Sequence, residues 1–300
     1  MNQPSMNRAA TNEAYDRHAE SLGHVVELQH VNIRVPDQIA ATNFYISGLG
    51  LTRDPYLMTG TDNMWANVGI SQFHLPSGAP QVLRGTTALV LPDRAALLRR
   101  LAGQRRNLEG TRFAFRETED AVETICPWGN RIRVHAPDAA RFGAISLGMP
   151  YVEFDVPAGT TPGIARFYRE ILQAPATAEG GVARALVANG QYLVFRETDA
   201  PQPDYDGHHI QITLADFGGP HARLKQAGLI SEESNPWQYR FLDIVDPGTG
   251  VALFRVEHEV RSMTHPLYAR PLVNRNASIN NRNYRPGHEA WPFALPPEPG

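Results

Sequence analysis

Histidines and carboxylates are the groups through which this 300-residue sequence could do chemistry, and several fall in strand-like segments. His30 lies in LQHVNIRVPD, His74 in SQFHLP, His135 in RIRVHAP, and His208 and His209 open HHIQITL. In VALFRVEHEVR, His258 stands between Glu257 and Glu259. Imidazole and carboxylate carry protons near neutral pH and bind divalent cations. A lone strand histidine is more often half-buried and structural. Charges at a strand end beside Arg255 and Arg261 are usually solvated, so residue type alone leaves both readings open.

Other chemistries lack a reagent. Cys126 is the single cysteine, which rules out an internal disulfide framework and a cysteine-rich zinc site and is what a reducing, cytoplasmic compartment leaves behind. Lys225, the only lysine, sits in the surface-helix pattern HARLKQAG, so Schiff-base chemistry has almost no nucleophile. Neither G-x-S-x-G nor G-x-x-x-x-G-K-[ST] occurs. A net charge of −3 and a pI near 6.4 offer no positive field for phosphates, so a small, roughly neutral molecule is a better partner than nucleic acid. No run approaches the ~18 apolar residues of a membrane span and no apolar leader follows an N-terminal positive charge, so neither membrane nor export is expected.

The elements that position these side chains repeat. LQHVNIRVPD alternates apolar and polar residues as a half-buried strand does, and IAATNFYISGLGL follows with helical spacing. YVEFDVP and GIARFYREILQAP repeat the pattern, so Val35-Pro36 and Phe44-Tyr45 recur as Val156-Pro157 and Phe167-Tyr168. Weaker copies are TTALVLPD with RAALLRRLAG, and HHIQITLAD with GPHARLKQAGL. Starts near His30, Thr86, Tyr151 and His209 lie 56, 65 and 58 residues apart, room for a strand, a helix and three more strands.

A strand L-x-H-V-x-I-x-V-P-D, a helix with Phe-Tyr closing on Gly-Leu-Gly, and a unit ending P-x-G-N-x-I resemble the vicinal oxygen chelate superfamily. That superfamily includes glyoxalase I, bleomycin- and fosfomycin-resistance proteins and extradiol dioxygenases. The resemblance covers about residues 28–260 and implies an α+β fold of four βαβββ modules paired into two domains with cupped mixed sheets. Pairing one with two and three with four gives domains at 25–142 and 148–261, after a polar arm at 1–24. The tail, 262–300, is expected to drape over its own domains or a partner subunit, because Tyr268, Tyr284, Trp291 and Phe293 are costly to leave in water. A homodimer through that tail is one expected outcome.

In such proteins metal ligands come from the first and last strands of a module. The resemblance carries these positions to His30 and His74 in the first module. In the second they fall on Thr86 and Arg133, where the family has better ligands; His135 shares the Arg133 face and would complete a three-imidazole set. In the second domain the first-strand position is Tyr151, with Glu153 on its face, while the fourth module supplies His209. For its last strand, counting from the turn gives Phe254 and spacing gives Glu257, so the register stays open. Tyr192, Gln211 and Tyr239 are candidate substrate contacts, and Tyr151 or His208 candidate proton shuttles.

The resemblance implies a divalent metal, with iron first and zinc, nickel or manganese as alternatives. The leading expectation is an extradiol-type dioxygenase acting on an aromatic or enediol-like substrate. A glyoxalase-like isomerase or lyase, and a metal-free protein that sequesters a planar ligand, stay beside it.

Overall fold

The computed structural model describes residues 21–272 apart from 56, 58–60 and 189. Most of the expected arm, and the tail aromatics Tyr284, Trp291 and Phe293, lie outside the described residues.

Four βαβββ modules follow one another. The first has β1 (Val25–Asn32), α1 (Gln38–Ala41) widening into a π-helical stretch over Thr42–Gly48, β2 (Thr52–Arg53), β3 (Asn63–Val68) and β4 (Ser71–Pro76). The second has β5 (Gly85–Val90), α2 (Arg94–Gly103), β6 (Ala114–Glu117), β7 (Val122–Ile125) and β8 (Arg131–His135). After a short α3 (Ala139–Phe142), the third has β9 (Tyr151–Pro157), α4 (Thr161–Glu170), β10 (Ala176–Glu179), β11 (Val182–Ala188) and β12 (Gln191–Thr198). The fourth has β13 (His209–Leu214), α5 (Gly218–Gln226), β14 (Ile230–Asn235), β15 (Gln238–Val245) and β16 (Ala252–Ser262).

The repeated Val-Pro-Asp and Leu-Pro-Asp motifs do one job, which is to end a strand and cap a helix. Asp37 accepts hydrogen bonds from the Ile39 and Ala40 amides at 2.8 and 3.0 Å, and Asp93 from the Ala96 amide at 2.8 Å. The third module lacks the aspartate, and Glu197 of β12 reaches across to accept from the Thr161 amide at 3.0 Å.

Two eight-stranded sheets result, in the orders β14-β15-β16-β13-β1-β4-β3-β2 and β10-β11-β12-β9-β5-β8-β7-β6. The modules therefore pair one with four and two with three, not one with two and three with four. The two first strands meet antiparallel at each sheet centre, β1 against β13 and β5 against β9, with last strands parallel beside them. Gly85 marks one of these junctions: a Cβ there would collide with the Glu153 carbonyl, so only glycine lets β9 approach β5 so closely.

Each sheet has a core face and a cup face. On β16, Phe254, Val256, His258 and Val260 turn into the core while Glu257, Glu259 and Arg261 turn the other way. One continuous apolar cluster runs through both sheets and includes Phe167 and Tyr168 of α4. Among the described residues no helix is long and apolar enough to cross a membrane.

Candidate metal centre

Register assembles the cup of the first-and-fourth-module sheet. His30 lies opposite Gln211 on β13 and Gln72 on β4. His209 lies opposite Asn32 and Glu257, and Gln211 opposite Glu259. His74 lies opposite Asn32 and Trp65. Directly opposed strand residues share a face, so these polar side chains crowd into one concavity.

At its centre one ligand atom each from His30, His209 and Glu259 lies within 4.8 Å of the others. The residues are 0%, 7% and 3% exposed. Nε2 of His30, Nε2 of His209 and Oε1 of Glu259 have no hydrogen-bond partner among the described residues. A buried polar atom left unpaired costs about 1–3 kcal/mol, so the two bare imidazole nitrogens beside the Glu259 carboxylate form an arrangement that a bound cation would complete. Two imidazoles and a carboxylate with open positions match the facial set of non-haem iron sites, so these donors fit a divalent ion.

The surroundings set protonation. Burial holds His30 and His209 well below the ordinary imidazole pKa, with nearby Arg261 and Arg240 adding to the effect. Both rings are thus neutral at neutral pH, as metal ligation requires. The Gln29 carbonyl lies 3.4 Å from His30 Nδ1 and accepts from Arg261 Nη1 at 2.7 Å. That contact assigns the His30 proton to Nδ1 and turns the Nε2 lone pair inward. Arg240 donates to Glu259 Oε2 at 2.6 Å and also pairs with Glu257. Arg261 approaches Glu259 Oε1 at 2.7 Å as an ion pair without hydrogen-bond alignment.

His74 stands beside this cluster, its ring 5.8 Å from that of His30 and perpendicular to it. It stacks on Trp65 at 3.8 Å, and its Nε2 donates to the Asn63 carbonyl at 2.9 Å, which leaves Nδ1 as the acceptor. Burial pushes its pKa to about 3.

The structure thus brings His30, His74, His209, Gln211 and Glu257 into one cup. It does not bring in His135, which lies in the other sheet with Nε2 3.0 Å from the Tyr151 hydroxyl, so the His30-His74-His135 set is not assembled. Tyr151, Glu153 and Tyr192 line that second cup, where Glu153 pairs with Arg196 at 2.9 Å. His208 turns to the opposite face from His209 and bonds Asp206 at 2.7 Å. Tyr239 packs on the core side against Phe217 and His221, 4.9 and 5.0 Å between rings. Phe254, on the core face against Phe154, resolves the β16 register in favour of the odd-numbered residues. Arg240 and Trp65 escaped the sequence reading, which noted Glu259 and Arg261 only as strand-end charges. Glu259 was within reach of it, being two residues beyond Glu257 on the same face.

No family model matches the sequence, and no curated protein does. Solved structures do. A candidate dioxygenase from Bacillus subtilis superimposes with a TM-score of 0.52 at 14% identity, over 80% of this chain and 86% of that one. Glyoxalase I from Zea mays gives 0.50 at 14% identity, over 79% and 92%. At such identities the likeness concerns the fold, which is that of the vicinal oxygen chelate superfamily.

Proposed function

We propose, from a vicinal oxygen chelate fold with a His30-His209-Glu259 cluster in one of its two cups, that this chain is a metal-dependent enzyme. The reaction is an extradiol-type dioxygenation of a small aromatic diol or enediol. The observation that carries the reading is that buried His30, His209 and Glu259 bring one ligand atom each within 4.8 Å of the others, with Nε2 of both imidazoles left without a hydrogen-bond partner among the described residues. When bound, a divalent ion supplies Lewis acidity to two vicinal oxygens, and iron also supplies redox chemistry.

The chain's own residues do the rest. Trp65, stacked on His74 at 3.8 Å with its ring 5.0 Å from that of His30, holds both imidazoles in the cup. His74 offers an unprotonated Nδ1 in the same cup, held in place by Asn63 and Trp65, and with a pKa of about 3 it orients a substrate hydroxyl by accepting its hydrogen bond rather than taking the proton. Arg240 and Arg261 balance the Glu257 and Glu259 carboxylates.

An isomerase of the glyoxalase kind would need a carboxylate free to act as base. Glu257, the second carboxylate of the cup, is engaged by Arg240, which favours the dioxygenase. The test is oxygen uptake by iron(II)-loaded protein offered catechols. Uptake with ring-opened product, absent in His209→Ala, supports the proposal. Isomerisation of a hemithioacetal by nickel- or zinc-loaded protein without oxygen uptake would replace it with the second reading.

A further inference from the structure

The two sheets share one plan, so the register of one maps onto the other. Thr86 lies opposite Glu153 across the central pair, as His30 lies opposite Gln211. Arg133 lies beside Ala88, two residues past Thr86, as His74 lies beside Asn32, two past His30. Tyr151 is opposite Tyr192 and Glu153 opposite Val194, as His209 is opposite Glu257 and Gln211 opposite Glu259. The second cup therefore holds Thr86 for His30, Arg133 for His74, Tyr151 for His209, Tyr192 for Glu257 and Val194 for Glu259. Every metal donor of the first cup is replaced, and a guanidinium and two phenols stand among the replacements.

We propose that this second cup is a metal-free anion site that takes a small aromatic carboxylate. A cleft of about 470 Å³ opens there, lined by Thr86, Phe115, Arg116, Glu123, Arg131 and Arg133 among others. Arg131 is engaged by Asp155. Arg116 and Arg133 share the single carboxylate of Glu123, at 2.7 Å and 3.4 Å, which leaves one positive charge in surplus. The Arg133 side chain is 34% exposed, so its guanidinium is open to the cleft while its stem is held by the sheet. Its planar fork matches a carboxylate, and Tyr151 with Tyr192, opposite each other on the same cup, offers aromatic surface for a ring. The Tyr151 hydroxyl is fixed by His135 at 3.0 Å.

The inference stands apart from the metal reading and is tested on metal-stripped full-length protein. Titration calorimetry with benzoate, and with benzamide as its neutral isostere, gives the affinities. Expected is saturable benzoate binding, at least ~10-fold weaker for benzamide and for Arg133→Ala, and unchanged in His30→Ala. Arg133→Lys should fall between, because it keeps the charge and loses the fork. Equal binding of benzoate and benzamide, an unaffected Arg133→Ala, loss of binding in His30→Ala, or no binding at millimolar benzoate would each overturn the proposal.

Discussion

His30 and His209, from the first and fourth modules, sit with ring centroids 5.8 Å apart on adjacent antiparallel strands. The cluster they form with Glu259 exists only once the end of the chain has folded back beside its beginning. The centre is therefore a tertiary product that neither outer module builds alone.

On the proposed metal reading, Arg240 would compete with a cation for the carboxylates. It pairs with both Glu257 and Glu259, and the latter is 3% exposed. Arg240→Met should lower the melting temperature of the metal-stripped protein, because Glu257 loses its guanidinium and Glu259 keeps only Arg261, at a cost of about 1–3 kcal/mol. Adding zinc should then raise the melting temperature more in the variant than in the parent, since ligand binding stabilises in proportion to affinity. An equal or smaller rise in the variant would show that Arg240 does not contend for the site.

Acid should weaken the metal-stripped protein in a defined window. Burial holds the folded-state pKa of His74 near 3 and of His258 near 4, against 6.5 for an ordinary imidazole. The unfolded chain therefore binds more protons as the pH falls below about 6.5, and the stability from these neutral rings is lost progressively toward 4. Glu27 acts oppositely. Burial raises its pKa from 4.5 to about 7, so its contribution is present below 4.5 and lost as the pH rises through 7. Glu27→Gln should make the fall in melting temperature between pH 6.5 and 5 steeper. A shallower fall in that variant would contradict the assignment.

The strand and helix pattern was legible because alternation and helical spacing are local, as in LQHVNIRVPD and GIARFYREILQAP. Two of the Asp-capped helix starts, at Asp37 and Asp93, fall in the repeated Val-Pro-Asp and Leu-Pro-Asp motifs. Module pairing was not legible, because every first strand alternates in the same way whichever partner it meets. Gly85, placed where the β9 backbone presses in, was the one local trace of it. His30, His74 and His209 could be nominated from strand position, but placing them in one cup required that pairing. Glu259 was hidden by register: Glu257 is opposite His209, yet Glu259 is the residue level with His30 through Gln211.

The segment after β16 should be structural over its described part. Leu267 accepts from Gln29 Nε2 at 3.3 Å, and Arg270 pairs with the fully buried Asp54 at 2.7 Å. Asp54 also accepts from Gln72 and from the Leu57 amide, at 3.0 and 2.9 Å. Arg270→Ala should cost about 1–3 kcal/mol in urea unfolding, from a buried carboxylate that loses its countercharge. A change within ~0.5 kcal/mol would mark the segment as a dispensable appendage.

The most direct test of the centre is stoichiometric metal binding by the stripped protein. Titration with cobalt(II), followed by its absorption spectrum, should reveal one site per chain. His30→Ala, His209→Ala and Glu259→Gln should each weaken it by at least ~10–100-fold, while His135→Ala and His258→Ala leave it unchanged. A site that survives His209→Ala and Glu259→Gln, or a parent protein that binds no cobalt, would contradict the assignment of His30, His209 and Glu259 as a metal centre.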